Sequence, residues 1–451
     1  MKNVIIINSP IYWNKTEEQE EYLPPLGLGY IATYLEIRGF GVEIIDCVKQ
    51  RLGVEDVIKV ISDKKPDYVG INIFTQNYQL VKTIIEGISN FCICFIGGPV
   101  VKSIFEDILL WDMKNDLDII IGEGEFIIPD ILNDICKEQP LKVVGNKKIY
   151  KVDILSTYFP KDISSIHVNR KYLQNEIVTN HYGEREAAII TSRGCVFDCA
   201  FCGGAKSLNQ DVSVRSRTEN SVVIEINELI TLYPEIRSIR ILDDLFLKNE
   251  KSIDMANRIF RGFEQLSWRG MVHTISLIKS LNKIELLKDS KCKELFMGIE
   301  TGAPELRKKI NKLGSVEDIV NVATKILENG IDLKGYFIYG FPGETIDDCE
   351  KTYKLACDLM DISRIQPGVF RTSVFKYRPY HGTLLYKEIA DKIGDIPECR
   401  HDEATGTAMG RSQFSFSSGN YSEVSDKLLN EFIEKTQNLM EYNNDRTDKK
   451  V

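Results

Sequence analysis

Apolar and polar positions alternate along the chain in two series of the same kind. Short apolar runs are followed by segments of 3.6-residue period, a pattern that predicts strand–helix units and parallel sheets. In the first series the predicted strands are Val4 to Asn8, Val42 to Asp46, Tyr68 to Ile73, Cys92 to Ile96 and Asp118 to Ile121, the last entering the turn Gly122-Glu-Gly-Glu125. Helical patterns fall at Gly27 to Gly39, Leu52 to Asp63, Val81 to Phe91, between the fourth and fifth strands, and from Phe126. Five such units make an α/β, flavodoxin-like (Rossmann-like) doubly wound domain over residues 1–150. The pattern weakens over 151–186, read as a linker and packing segment. A second series starts at Ala187 to Thr191 and continues with strands at Ile236 to Leu242, Val272 to Leu277, Glu294 to Ile299, Lys334 to Tyr339 and Gly368 to Phe375. The helices between them are Ser221 to Leu232, Glu250 to Gln265, Ile284 to Lys288, Val316 to Asn329 and Thr345 to Met360. Six strands alternating with helices predict an open, partial (β/α)6 barrel over 187–385 rather than a closed eight-stranded one. Residues 386–451 carry mainly helical signal, with a frayed polar end from Asn443.

In a doubly wound domain ligands sit beyond the carboxyl ends of the strands. Ser9-Pro10, Thr75 to Asn77, Gly97-Gly98 and Gly122-Glu123-Gly124 all emerge there. One glycine after a strand is ordinary turn chemistry. Four such segments at one sheet edge predict a ligand domain, in which glycines let the backbone approach a flat molecule.

Composition narrows the partners. A chain of 451 residues exceeds one ordinary core, and 43% hydrophobic with 27% charged residues is globular. A net charge of −9 offers no footprint for nucleic acid, so a small-molecule or peptide substrate is expected. The chain runs from Met1 directly into a strand-like segment and holds no apolar run of bilayer-spanning length, so neither a signal peptide nor a membrane span is expected and the location reads as cytoplasmic. Eleven cysteines in that setting read as reduced thiols, some of them metal ligands. Cys92 and Cys94 share one face of a strand and read as core, as do the scattered ones.

Only Cys195, Cys199 and Cys202 are clustered, in Thr191-Ser-Arg-Gly-Cys195-Val-Phe-Asp-Cys199-Ala-Phe-Cys202-Gly-Gly204. Thiolates at that spacing can hold zinc or iron, and ligand count separates the two. A structural zinc site wants four protein ligands, and no second Cys or His pair lies at finger-like spacing. Three cysteines fit a four-iron cluster better, leaving one iron open to a small molecule, with Phe201 shielding one side.

The Cys-x-x-x-Cys-x-aromatic-Cys loop after a strand resembles that of the radical S-adenosylmethionine (SAM) enzymes. The resemblance implies a [4Fe-4S] cluster whose open iron chelates SAM, cleavage of SAM to a 5'-deoxyadenosyl radical, and reduction by a donor such as flavodoxin or ferredoxin. Leu242-Asp-Asp-Leu-Phe246 resembles the family's second strand end and gives Asp243 to the methionine part of SAM. Met297-Gly-Ile-Glu-Thr-Gly302 resembles Gly-Ile-Glu-Ser-Gly and gives Glu300 to the ribose. Gly335-Tyr-Phe-Ile-Tyr-Gly-Phe-Pro-Gly-Glu-Thr345 resembles the segment near the adenine and brings in Tyr336. Phe201, Gly203 and Gly204 complete the implied SAM contacts. For Asp243 and Glu300 the alternative is that each caps the following helix.

Pro24-Pro-Leu-Gly-Leu-Gly-Tyr30, Gly97-Gly98-Pro99 and Ile121-Gly-Glu-Gly-Glu125 resemble the cobalamin domain of B12-dependent radical SAM proteins. That resemblance assigns Ser9, Thr75, Asn77, Gly97, Gly98, Gly122, Glu123 and Gly124 to cobalamin. The Asp-x-His-x-x-Gly motif of the mutases is missing and the first histidine is His167, so this domain offers cobalt no imidazole. The function implied is a cobalamin-dependent C-methyltransferase. Radical cyclisation, rearrangement or oxidation without methyl transfer is the rival, and a non-catalytic iron–sulfur or zinc sensor is the alternative of another class.

Overall fold

The computed structural model describes residues 1–12, 22–89, 91–174, 176–401 and 416–439. The first sheet contains β1 (Asn3–Asn8), β2 (Gly41–Asp46), β3 (Tyr68–Asn72), β4 (Ile93–Gly97) and β5 (Leu117–Gly122), all parallel, in the order 2-1-3-4-5 of a doubly wound domain. Two further strands extend it. β6 (Lys142–Val144) and β7 (Lys147–Val152) form a hairpin, and β7 pairs parallel with β5. Gly145, at φ +59, turns this hairpin. The sequence pattern misses β6, whose three residues are all exposed, and β7, in which Lys147, Lys148 and Lys151 interrupt the apolar positions.

The second sheet opens with β8 (Val178–Thr179), antiparallel to β9 (Arg185–Ile189). A short ribbon of β10 (Ser192–Arg193) and β11 (Arg215–Ser216) brackets the cysteine loop. The sheet then adds β12 (Ser238–Ile241), β13 (Ser267–Val272), β14 (Cys292–Glu300), β15 (Asp332–Tyr339) and β16 (Phe370–Lys376), all parallel to β9. Its order, 16-15-14-13-12-9-8, is that of a curled half-barrel of six parallel strands with one antiparallel edge. The helices bury an aliphatic layer on its convex face. β17 (Arg400–His401) and β18 (Phe416–Ser417) form a small antiparallel pair. The described part of the C-terminal region is otherwise the helices Leu384–Ile393 and Asp426–Gln437, and the end from Asn443 lies outside the described residues.

One predicted strand is corrected. Val272 to Leu277 is the last residue of β13 followed by the helix Thr274–Ile278, which the His273 side chain caps by accepting the Ile275 N–H at 3.2 Å. The strand itself lies earlier, where Arg269 interrupts the apolar pattern. The segment read as a linker and packing segment packs as a wedge: Ile163, Ile166, Val168 and Leu173 are buried between Leu26 and Tyr30 of the first domain and Ala188 of β9.

The concave face closes below on charge. Glu186, Arg269, Glu294 and Arg371, near the amino ends of β9, β13, β14 and β16, are all buried, with Arg269 bonded to Glu186 at 2.5 Å and to Glu294 at 3.0 Å and Arg371 to Glu294 at 2.5 Å. Arg371 therefore lies at the floor of the half-barrel. Tyr339 bonds Thr436 at 2.7 Å under the C-terminal helix. Among the described residues no helix is long and apolar enough to cross a membrane.

Candidate functional site

The cysteine loop hangs from β9 and is fixed by backbone bonds at several points. Ala200 donates to Ile310 O at 2.9 Å, Leu385 donates to Ala200 O at 3.1 Å, and the Asn311 amide donates to Asp198 O at 2.6 Å. The loop also turns on itself, with Gly204 N–H donating to Cys202 Sγ at 3.4 Å. Phe201 meets Phe341 edge-on at 5.5 Å, and Phe197 stacks on His273 at 3.8 Å. Burial pushes all three thiols up, Cys202 to about 12. Cations or a metal are needed to hold them as thiolates.

Two carboxylates follow β12 and they face different ways. Asp243 is buried and accepts the Thr191 N–H at 2.7 Å, the Thr191 hydroxyl at 2.6 Å and the Ser192 hydroxyl at 2.6 Å. Both of its oxygens tie down the root of the cysteine loop. Asp244, which that reading passes over, lines the cavity described below. Burial raises its carboxyl, against the Gly194 N–H and Lys248. The adjacent carboxylates look identical in sequence; only their orientation separates them. Neither Asp243 nor Glu300 caps a helix, since Asn249 and Ala303 hold those positions.

Glu300 ends β14 at φ +64, a conformation that is uncommon outside glycine and recurs at functional sites. It pairs with buried Lys312 at 3.0 Å. A side chain at Gly298 would run into the Glu300 carboxylate, which accounts for glycine there. Burial lowers the Lys312 pKa and Glu300 with Cys199 more than offsets it, leaving the ammonium held charged beside the cysteine loop. Tyr336 lies lower in the half-barrel, its ring 6.3 Å from Phe296 and 6.0 Å from Phe375.

A cavity of about 870 Å³ opens between the two halves, at the large end of ligand sites. Ser9, Asn77, Gly97, Gly98, Gly122, Glu123 and Gly124 line one wall, and Asn209, Asp211, Asp244 and Tyr380 face them from the half-barrel side. Thr75 turns away, meeting His381 Nδ1 at 3.1 Å. Gly98, at φ +143, lies where a side chain would strike Ile73 O, so this turn requires glycine. Gly97 and Gly27 differ: a Cβ at Gly97 meets only Ile120 O at 3.9 Å and one at Gly27 meets nothing within 4 Å. Their missing side chains leave the cavity open, a cradle that suits a broad, flat ligand. Gly97→Leu is therefore expected to leave the melting temperature near wild type while weakening cobalamin binding at least about tenfold, the effect of 1.4 kcal/mol; a spectroscopic titration measures this.

His381 joins the halves, and burial pushes its pKa from 6.5 to about 4. A histidine neutral in the fold and titrating at 6.5 when unfolded contributes stability that is complete above pH 6.5 and lost as pH falls towards 4. The slope is about 1.4 kcal/mol per pH unit. Melting temperatures at pH 7 and 5 are expected to differ less in His381→Gln than in wild type.

Residues 189–356 match the radical SAM superfamily and 17–132 the B12 binding domain. The chain is similar to an uncharacterised methyltransferase of Pyrococcus horikoshii, 28% identical over 373 residues that span 81% of this chain and 78% of the relative. It is similar to the anaerobic magnesium-protoporphyrin IX monomethyl ester cyclase of Rubrivivax gelatinosus, 23% identical over 409 residues that span 86% and 70%. Its fold is that of the radical SAM methyltransferase TsrM of Kitasatospora setae, with a TM-score of 0.64 at 17% identity, covering 90% of this chain and 79% of that one. With the B12-binding match lying on the first sheet and the radical SAM match on the second, the chain carries a B12-binding domain ahead of a radical SAM domain.

Proposed function

We propose that the protein is a cobalamin-dependent radical SAM methyltransferase acting on an unactivated carbon of a small-molecule or peptide substrate. The observation that carries this reading is the shared cavity, whose walls are the glycine turns of the first domain on one side and Asp244, Asn209 and Tyr380 beside the cysteine loop on the other. When bound, a [4Fe-4S] cluster supplies the electron that cleaves SAM to a 5'-deoxyadenosyl radical, and cobalamin carries the methyl group.

Cys195, Cys199 and Cys202 would hold the cluster in this reading, and Phe201, packed on Phe341, would exclude water from one side. Glu300 and Tyr336 contact SAM from β14 and β15, with Lys312 keeping the Glu300 carboxylate in place. Asp243 fixes the loop root and Asp244 faces the reacting groups. Gly97, Gly98, Gly122 and Gly124 admit the corrin, while Ser9 and Asn77 brace the turn beneath it through their 2.6 Å bond. A flavodoxin- or ferredoxin-like protein would be the electron donor.

Likeness to a cyclase favours a second reading, radical cyclisation without methyl transfer. Anaerobic reconstitution with iron, sulfide, cobalamin, SAM and a reductant separates the two. Formation of S-adenosylhomocysteine together with 5'-deoxyadenosine supports methyl transfer, and 5'-deoxyadenosine alone removes it. A colourless zinc protein that leaves SAM intact refutes both and supports a sensor.

A further inference from the structure

We infer that the cysteine loop is registered on the corrinoid cavity by two charge clamps of opposite polarity, with Arg193 as the positioning residue; the inference rests on the reading of that cavity as a cobalamin site. The first clamp holds the stem of the loop. Arg193, two residues before Cys195, donates from one guanidinium nitrogen to Glu123 at 2.7 Å and from the other to Glu125 at 2.6 Å. Its ribbon partner Arg215, on the far side of the loop, also pairs with Glu123, donates to Pro160 O at 2.7 Å and lies over the Phe159 ring at 4.2 Å. The second clamp holds the returning segment. Asp211 pairs with Lys102 and, at 3.3 Å, with Lys151, and its carbonyl accepts the Ile154 N–H at 3.0 Å.

The contacts of the first clamp differ from ordinary surface ion pairs, which contribute little. The side chains of Arg193 and Glu123 are each 18% exposed, and those of Glu125 and Arg215 8%. Arg193 is forked across two carboxylates, a geometry that fixes direction as well as distance. The signs also alternate: the stem brings cations to anions of the first domain, and the return brings an anion to its cations. Sliding the loop along the cavity sets like charges against each other, which is how electrostatic complementarity fixes register. Glu123, Glu125, Lys102 and Asp211 are themselves part of the cavity lining. The loop that carries the cysteines is therefore tied at both ends to the wall that would hold the corrin, and its placement is set by the protein before any cofactor arrives.

Two measurements on the full chain test this. In the cofactor-free protein, amide hydrogen exchange over 192–216 is expected to be at least about tenfold faster in Arg193→Gln than in wild type, with the strands of both sheets unchanged. In protein loaded with cobalamin and cluster, pulsed EPR between cob(II)alamin and the reduced cluster is expected to give one narrow distance in wild type, a broad distribution in Arg193→Gln, and a partial return in Arg193→Lys, which keeps the charge without the fork. Wild-type exchange and an unchanged distance in Arg193→Gln overturn the inference, as does faster exchange spread through both sheets alike. If Arg193→Gln does not fold, Lys102→Met loosens the second clamp from the partly exposed rim and is judged by the same two readouts. A wild-type chain that takes up no cobalamin refutes the corrinoid reading, while the exchange comparison still decides whether the clamp orders the loop.

Discussion

Cys199→Ala is expected to abolish SAM cleavage, with bound iron falling to background and the brown colour absent after anaerobic reconstitution. The other two thiols cannot compensate, because a four-iron cluster held by three cysteines has no ligand to spare and two thiolates leave two irons open. The fold should tolerate the change. Cys199 is a small buried side chain whose neighbours are fixed by main-chain bonds at Ala200, so its loss leaves the loop anchored to Ile310 and Leu385. Circular dichroism and melting temperature near wild type, beside lost iron, separate a missing ligand from a misfolded chain. Retained cleavage would overturn the assignment of the site.

Arg269→Met is expected to produce the largest loss of stability, about 3–5 kcal/mol. Arg269 is fully buried and donates to both Glu186 and Glu294, which themselves lie out of water at the floor of the half-barrel. Burial alone would raise the Glu294 pKa, yet Arg371 and Arg269 outweigh it and keep the carboxyl below its usual range. Removing the guanidinium strands charge that folding has already desolvated. Methionine fills the space without supplying a donor, and Arg371 remains to satisfy Glu294 but not Glu186. Urea unfolding measures the effect, and a loss under 1 kcal/mol would mean that water replaces the guanidinium at the floor.

Much of the architecture is legible in the sequence because parallel strands buried on both faces write continuous apolar runs, and β1, β3, β4 and β5 are of that kind. Legibility fails where a strand carries charge inward or apolar residues outward. β13 is hidden by Arg269, so the reading slides forward onto a helix, and β6 exposes all three of its residues. The cysteine loop is legible because ligand spacing is local. Orientation is not local: nothing in Leu242-Asp-Asp-Leu says that Asp243 turns to Thr191 and Ser192 while Asp244 lines the cavity. Pairings such as Arg193 with Glu123 join residues 70 apart and emerge only once both sheets are assembled. Thr75 shows the same limit in reverse, since its position after β3 suits a ligand turn but its hydroxyl is used on His381.

The most direct test of a corrinoid held against the cysteine loop is the absorption spectrum of the protein purified with B12 supplied and its cluster reconstituted. Bound cobalamin near one per chain, reduced in parallel with Gly97→Leu, is the predicted result. A chain that carries a full cluster and cleaves SAM but emerges without cobalamin would contradict it.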